Sequence, residues 1–356
     1  MPYNPGMNQL TLVLPFALPP PEMAADLLRA LQVPALAALL SRTTRVQFDA
    51  FDNAIRILPH EAWLAHALGL AAAPSSAAAA AAFAGAAMRG FGLAQTEGYW
   101  FIVNPVHIQI ARNHLLMGEQ RHLGLDQADS HALFTLAKPY FDDIGQPLLY
   151  GDAQTWFMRA DAWAGLRTAS PDAASGQNLH AWMPDGPGAP ACRKLQNEVQ
   201  MLWFEHPVNQ ARQARGLPAI NSFWIWGGAA ATTATPTTPA TPAPALLAAD
   251  APPWLAALAE KEAPAGFADI QARGPALVLL ATLVEAGLGA DWSSWLMHMQ
   301  QLERDWFVPV LAALKEGRIG RLTLLLSHRG AYAQFDSSKL AQRKFWRTIN
   351  LKQLST

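Results

Sequence analysis

The stretch from His206 to Gly228, HPVNQARQARGLPAINSFWIWGG, restricts the fold more than any other part of the chain. Pro207 stops one helix, a second short helix runs through Asn209 and Arg212 to Gly216, and Pro218 leads into the run INSFWIW. A short apolar run bounded by turn residues reads as a buried strand. Alternation puts Asn221, Phe223 and Ile225 on one side and Ser222, Trp224 and Trp226 on the other. Gly227 and Gly228 then lie beyond its carboxyl end, where open α/β sheets hold ligands. An α/β fold is expected, with His206, Asn209, Arg212, Asn221, Gly227 and Gly228 gathered round a small anion. A plainer reading stands beside it: Asn209 caps the helix, Arg212 reaches solvent and the tryptophans are core.

Elsewhere the periodicity names further elements. QLTLVLPF, Gln9 to Phe16, is a buried strand stopped by Pro15, and MAADLLRALQVPALAALLSR makes two helices separated at Pro34. PHEAWLAHALGL is a helix with Glu61 in its first turn; His60 and His66 do not face one another at metal spacing. YWFIVNPVHIQI gives two strands bent at Asn104-Pro105, and QPLLYGDAQTWFMRAD a hairpin around Gly151-Asp152. LDQADSHALFTLAKPYF is helical with Asp126 or Asp129 as its cap, and CRKLQNEVQMLWFEH carries the apolar stripe Leu195, Val199, Leu202 and Trp203. ATTATPTTPATPAPA has no periodicity and is expected to be a solvated surface insertion. The expected organisation is an α/β core over residues 1–230, a linker over 231–250, and helices with one strand over 251–356 completing the same domain. Leu322 to Leu326 would return to the first sheet.

Composition excludes several classes of partner. With 26 basic against 27 acidic side chains and no basic run, nothing offers a footprint for nucleic acid. Glu285 cuts the run GPALVLLATLVEAGLGA short of a membrane span, and no Lys or Arg precedes Arg29 to supply a leader's basic region. Cys192 is the one cysteine and cannot form an internal disulfide, so a cytoplasmic protein is expected.

The elements His206-Pro207-Val208-Asn209, Arg212, Gly216 and Asn221-Ser-Phe-Trp-Ile-Trp-Gly227 resemble the late part of the cofactor-independent, archaeal-type phosphoglycerate mutases. LQNEVQMLWFEHPVNQARQARGLPAINSFW and WFMRADAWAGLRTASPDAASGQNLHAWMP are more closely similar to the bacterial RpfE-type regulatory proteins. The resemblance implies an alkaline-phosphatase-like mixed sheet flanked by helices. It also implies two metal ions, held by Asp and His, that activate a Ser or Thr nucleophile for phosphoryl transfer. The first metal ligand would be an Asp directly after the first strand, but no Asp occurs before Asp26, and Pro15-Phe16 stands where Asp-Gly is expected. In place of an element with two phosphate-binding arginines the chain has DAASGQ, keeping Asp172 and Gly176 but carrying Ala173 and Gln177 at the arginine positions. His107 and His114 are seven apart and would reach one pocket only in a helical segment, while Asp126, Asp129 and His131 suit capping and solvation better than metal; His328, after the last strand, is the remaining sheet-end polar residue. A mutase-like protein without catalysis is therefore expected, acting through a small anionic ligand or a protein partner and needing no cofactor. The alternative is a phosphomutase or phosphohydrolase with rearranged ligands and bound Mn or Zn.

Overall fold

The computed structural model describes residues 7–52, 55–71, 82–111, 114–231, 245–260, 263–271 and 273–355. The Thr/Pro-rich stretch 232–244 and the alanine-rich stretch 72–81 lie outside the described residues. In chain order the strands are β1 (Met7–Leu14), β2 (Arg45–Ala50), β3 (Tyr99–Val106), β4 (Ile108–Ala111), β5 (His114–Met117) and β6 (Leu148–Tyr150). They continue with β7 (Trp156–Arg159), β8 (Ser222–Ala230), β9 (Ala245–Ala249), β10 (Ala276–Leu280), β11 (Ile319–His328) and β12 (Ala331–Ser338). These elements form a mixed α/β fold divided into two compact units, Met1–Asn53 with Ala240–Thr356, and Ala54–Pro239.

The first unit is built on a six-stranded mixed sheet in the order β2-β12-β11-β1-β10-β9. β1 runs parallel to both neighbours, with Leu12 in register with Val278 of β10 and Leu324 of β11. A central parallel strand is covered on both faces, which is why LTLVL reads as a nearly continuous apolar run in which even Thr11 is buried. The stretch Leu322 to Leu326 does return to β1, as expected. Pro21–Ala30 and Pro34–Ser41 are separate helices, each begun by a proline at its first turn. The Glu303 carboxylate accepts the Ala35 and Leu36 N–H groups at 2.6 and 3.1 Å, closing the donors that the second helix leaves open. The helix Val308–Glu316 packs against Pro34–Ser41 and on β11.

The unit boundaries differ from those expected from composition at 230 and 251. β1 takes one neighbour from Ala276–Leu280 and the other from Ile319–His328, so the sheet is assembled from both ends of the chain and residues 54–239 form a unit of their own. Part of the expected linker is strand: Ala245–Ala249 is β9, parallel to β10, with Leu246 and Leu247 buried.

The second unit carries the sheet β6-β7-β3-β8, antiparallel throughout, and the hairpin β4-β5. The helix Ala189–Phe204 lies on β8 and presses Leu195, Val199 and Trp203 into a core with Phe101, Trp156 and Phe223. β3 passes straight through Asn104-Pro105, and the break comes at His107 instead. β7 pairs with β3 only as far as Val103, so at Pro105 no ladder partner on that side, among the described residues, loses a donor. Gly227 and Gly228 also differ from expectation. They lie inside β8, where two residues oppose Phe101 alone, and Gly227 has φ +64°, the left-handed conformation of a β-bulge. A Cβ on Gly228 would stand 2.7 Å from the rings of Phe101 and Tyr99.

Candidate functional site

The six residues expected to surround an anion are split between the two ends of β8. At its start, His206 caps the helix Pro207–Ala214, its Nδ1 accepting the Val208 N–H at 3.3 Å. Asn209 is buried and donates through Nδ2 to the Trp203 and Ile220 carbonyls, each at 2.8 Å, while its Oδ1 accepts the Ile220 N–H at 2.8 Å. Arg212 is fully buried: Nε donates to Pro218 O at 3.1 Å, one terminal nitrogen to Gly124 O and Asp129 at 3.3 Å, and the other to Leu123 O. Asn221 makes a closed pair with the Ile108 backbone, accepting its N–H at 2.8 Å and donating to its carbonyl at 2.7 Å. Gly227 and Gly228 come six and seven residues after Asn221 along the strand, roughly 20 Å away at the rise of an extended chain.

No convergence beside Gly227 exists, and the polar side chains are engaged with backbone. The physical reason is the segment 217–221, which joins helix to strand without a ladder of its own and needs side-chain partners for its buried backbone. The tryptophans follow the plainer reading: Trp224 donates to Ala169 O and Trp226 to Asn104 Oδ1, both at 2.7 Å, and both are buried. Arg212 turns inward rather than to solvent.

A cavity suited to a small molecule lies in the first unit, where β1 and β11 end. It encloses about 390 Å³ and is lined mainly by apolar groups, among them Phe16, Leu18, Leu288 and Trp292, with Glu22, His328 and Arg329 as its charged or titratable members. Apolar walls with a few polar groups at strand ends are the usual form of a ligand pocket. Phe16 holds φ +59°, a conformation costing about 1 kcal/mol or more outside glycine. Trp295 Nε1 fixes it by donating to the Phe16 carbonyl at 2.8 Å, and a Cβ on Gly287 would stand 2.5 Å from its ring. The wall is therefore shaped by tight packing. His328 accepts the Gly330 N–H through Nδ1 at 3.0 Å, and burial lowers its pKa against the opposing pull of Glu22.

Buried ionisable groups gather in the second unit. Glu61, in the helix Pro59–Ala67, accepts the Ser170 hydroxyl at 2.6 Å and the Leu58 N–H at 2.7 Å. Burial first, and then the nearby Asp172, push the Glu61 carboxyl up to about 8, against the hydrogen bonds from Ser170 and Leu58 and the charge of Arg121. Burial takes His60 down to about 4, so both side chains are neutral at pH 7. Beside them Arg121 grips Asp172 with two bonds of 3.0 and 2.9 Å and also pairs with Glu119. Burial lowers the Arg121 pKa, but the two carboxylates outweigh it and raise it. A guanidinium thus stands at Asp172 although Ala173 and Gln177 replace the expected arginines. It comes from 51 residues upstream, and no local pattern announces it.

Among the described residues, no group of three or more His, Cys, Asp or Glu is placed to hold a metal ion. The residues at the end of β1 do not fit one, since Leu14, Pro15 and Phe16 offer no carboxylate. Asp126 caps the helix Gln127–Asp143, Asp129 pairs with Arg212 and Arg215, and His131 packs edge-on against Tyr150. His107 bonds to the Ala219 carbonyl at 2.7 Å. Cys192 is buried, which raises its thiol to about 12. No helix of the described residues is long and apolar enough to cross a membrane.

No protein-family model matches the chain, and no curated protein does. Among solved structures, the PH0037 protein from Pyrococcus horikoshii is similar over 98% of this chain and 92% of its own, with 12% identity and a TM-score of 0.55. The likeness shows a shared fold. The cofactor-independent phosphoglycerate mutase from Thermoplasma acidophilum DSM 1728 aligns over 98% of this chain and 94% of its own, with 11% identity and a TM-score of 0.45.

Proposed function

We propose that this chain is a phosphoglycerate-mutase-like protein that binds a ligand without transferring phosphate, in a regulatory role of the RpfE-type kind and in the cytoplasm. One observation carries the reading: β1 is followed directly by Pro15 and Phe16, and Phe16 walls an apolar cavity at the position where metal-dependent phosphoryl transfer would need a carboxylate. The occupant proposed has an apolar body and an anionic head that Arg329 can meet, against the Glu22 carboxylate on the same wall. The body would lie along Leu18, Leu288 and Trp292, and the head would be met by His328 and the Arg329 charge. This moves the expected anion from Arg212, engaged with carbonyls, to the end of the parallel strands.

Anilinonaphthalene sulfonate has such a body and head, and its fluorescence provides a test. The native protein is expected to bind it saturably, Leu288→Trp to block it by filling the cavity, and Arg329→Gln to weaken it about tenfold or more, the effect of losing one charge-assisted bond. Equal binding by all three proteins, each still melting cooperatively, would contradict the assignment.

A further inference from the structure

β2 is an outer strand of the six-stranded sheet, and among the described residues it pairs only with β12. Its apolar side chains are oddly placed. Val46 and Phe48 stand in register with Phe335 and Ala333, which are both 1% exposed, yet they are themselves 48% and 42% exposed. The core-side layer of the sheet therefore runs one strand further than the described residues cover. On the opposite face a polar ladder runs along the strand: Arg45 donates to Gln47 at 2.9 Å and Gln47 to Asp49 at 2.7 Å. The exposed apolar surface continues next to the strand's start. Phe345 and Trp346, packed edge-on at 5.3 Å, are 83% and 67% exposed, and Lys344 ties their segment to the Thr43 carbonyl.

The sequence of this edge, Arg45-Val-Gln-Phe-Asp49, is its own complement when reversed. Antiparallel pairing with a second copy about Gln47 sets Arg45 opposite the other copy's Asp49, and Val46 opposite its Phe48. Backbone parity agrees. Phe51 N–H donates to Gly330 O in the register of the β2–β12 pair, so the odd-numbered residues face β12 and Val46, Phe48 and Ala50 turn their N–H and C=O groups outward. In this register Val46 and Phe48 are the residues that would exchange backbone bonds.

We propose that the chain forms a two-fold symmetric dimer through β2, making one continuous sheet across two copies. Each copy covers the other's Val46 and Phe48, and two Arg45–Asp49 pairs fix the register. Edges left bare and flat are prone to uncontrolled association, and a charge at each end of a short strand restricts pairing to one alignment.

Sedimentation equilibrium on the full chain tests this, with far-UV circular dichroism and thermal melting as checks of folding. The native protein is expected at twice the mass of one chain. Arg45→Asp places two carboxylates opposite each other at both ends of the pairing and is expected at the mass of one chain, while Arg45→Asp with Asp49→Arg restores the charges in exchanged positions and the doubled mass. A native protein at the mass of one chain, a dimer indifferent to Arg45→Asp, or a folded double variant that stays single would each overturn the proposal.

Discussion

Replacing Arg212 with alanine is expected to destabilise the second unit by about 3–5 kcal/mol, read as a lowered midpoint in urea unfolding. The guanidinium has no exposed surface and joins three separate strips of chain: the turn at Leu123 and Gly124, the Asp129 carboxylate, and Pro218 before β8. Its loss leaves those carbonyls without their donor, sets Asp129 beside a void, and frees the segment that positions Asn209 and Asn221. Arg212→Lys is expected to recover little, since one ammonium cannot span the carbonyls that the planar fork reaches. A loss under about 1 kcal/mol, the size of a surface substitution, would show that the cluster does not hold this region together.

Glu61→Gln is expected to remove most of a pH dependence. The folded carboxyl titrates near 8 against an ordinary 4.5, so between these values the folded chain holds a proton that the unfolded chain has released. The stability contributed by this group is complete below 4.5 and is lost as pH rises towards 8. His60 has the opposite sign: held neutral down to about 4 against 6.5, its contribution is complete above 6.5 and lost as pH falls. Above pH 6.5 Glu61 dominates, since His60 has only about 0.4 kcal/mol left to gain there, in the opposite sense. The native protein is therefore expected to lose about 1.5 kcal/mol between pH 6.5 and 8, at a slope approaching 1.4 kcal/mol per unit. The glutamine variant keeps an oxygen for Ser170 and Leu58 and is expected to stay nearly level over that range. Equal slopes for both proteins would mean that Glu61 is ionised throughout.

The elements of the fold were legible where local chemistry decides them. Pro34 divides two helices wherever it occurs, and Leu10 to Leu14 can only be buried, so the central strand and the return of Leu322 to Leu326 followed from periodicity. The division into units did not, because it depends on which distant strands flank β1, and apolar runs do not name their partners. β9 was hidden for a related reason: ALLAA adjoins a Thr/Pro-rich stretch and shares its alanines. At the site, Asn209, Arg212 and Asn221 stand out in the sequence as polar residues, expected there to meet an anion. Ligand and backbone carbonyl ask for the same donors, however, and only the coordinates show that the carbonyls have them. Arg121 at Asp172 carried no signal at all. His328 was visible as a sheet-end polar residue, and the cavity beside it adds what a sequence cannot, the volume left by Phe16 and Trp292.

A mutase-like framework without phosphoryl transfer can be checked by assaying interconversion of 2- and 3-phosphoglycerate with Mn or Zn supplied, before and after chelation. No turnover above the protein-free rate is expected under either condition, because no carboxylate directly follows β1 to hold the metal. Turnover that chelator abolishes and added metal restores would contradict it and establish the enzyme with rearranged ligands.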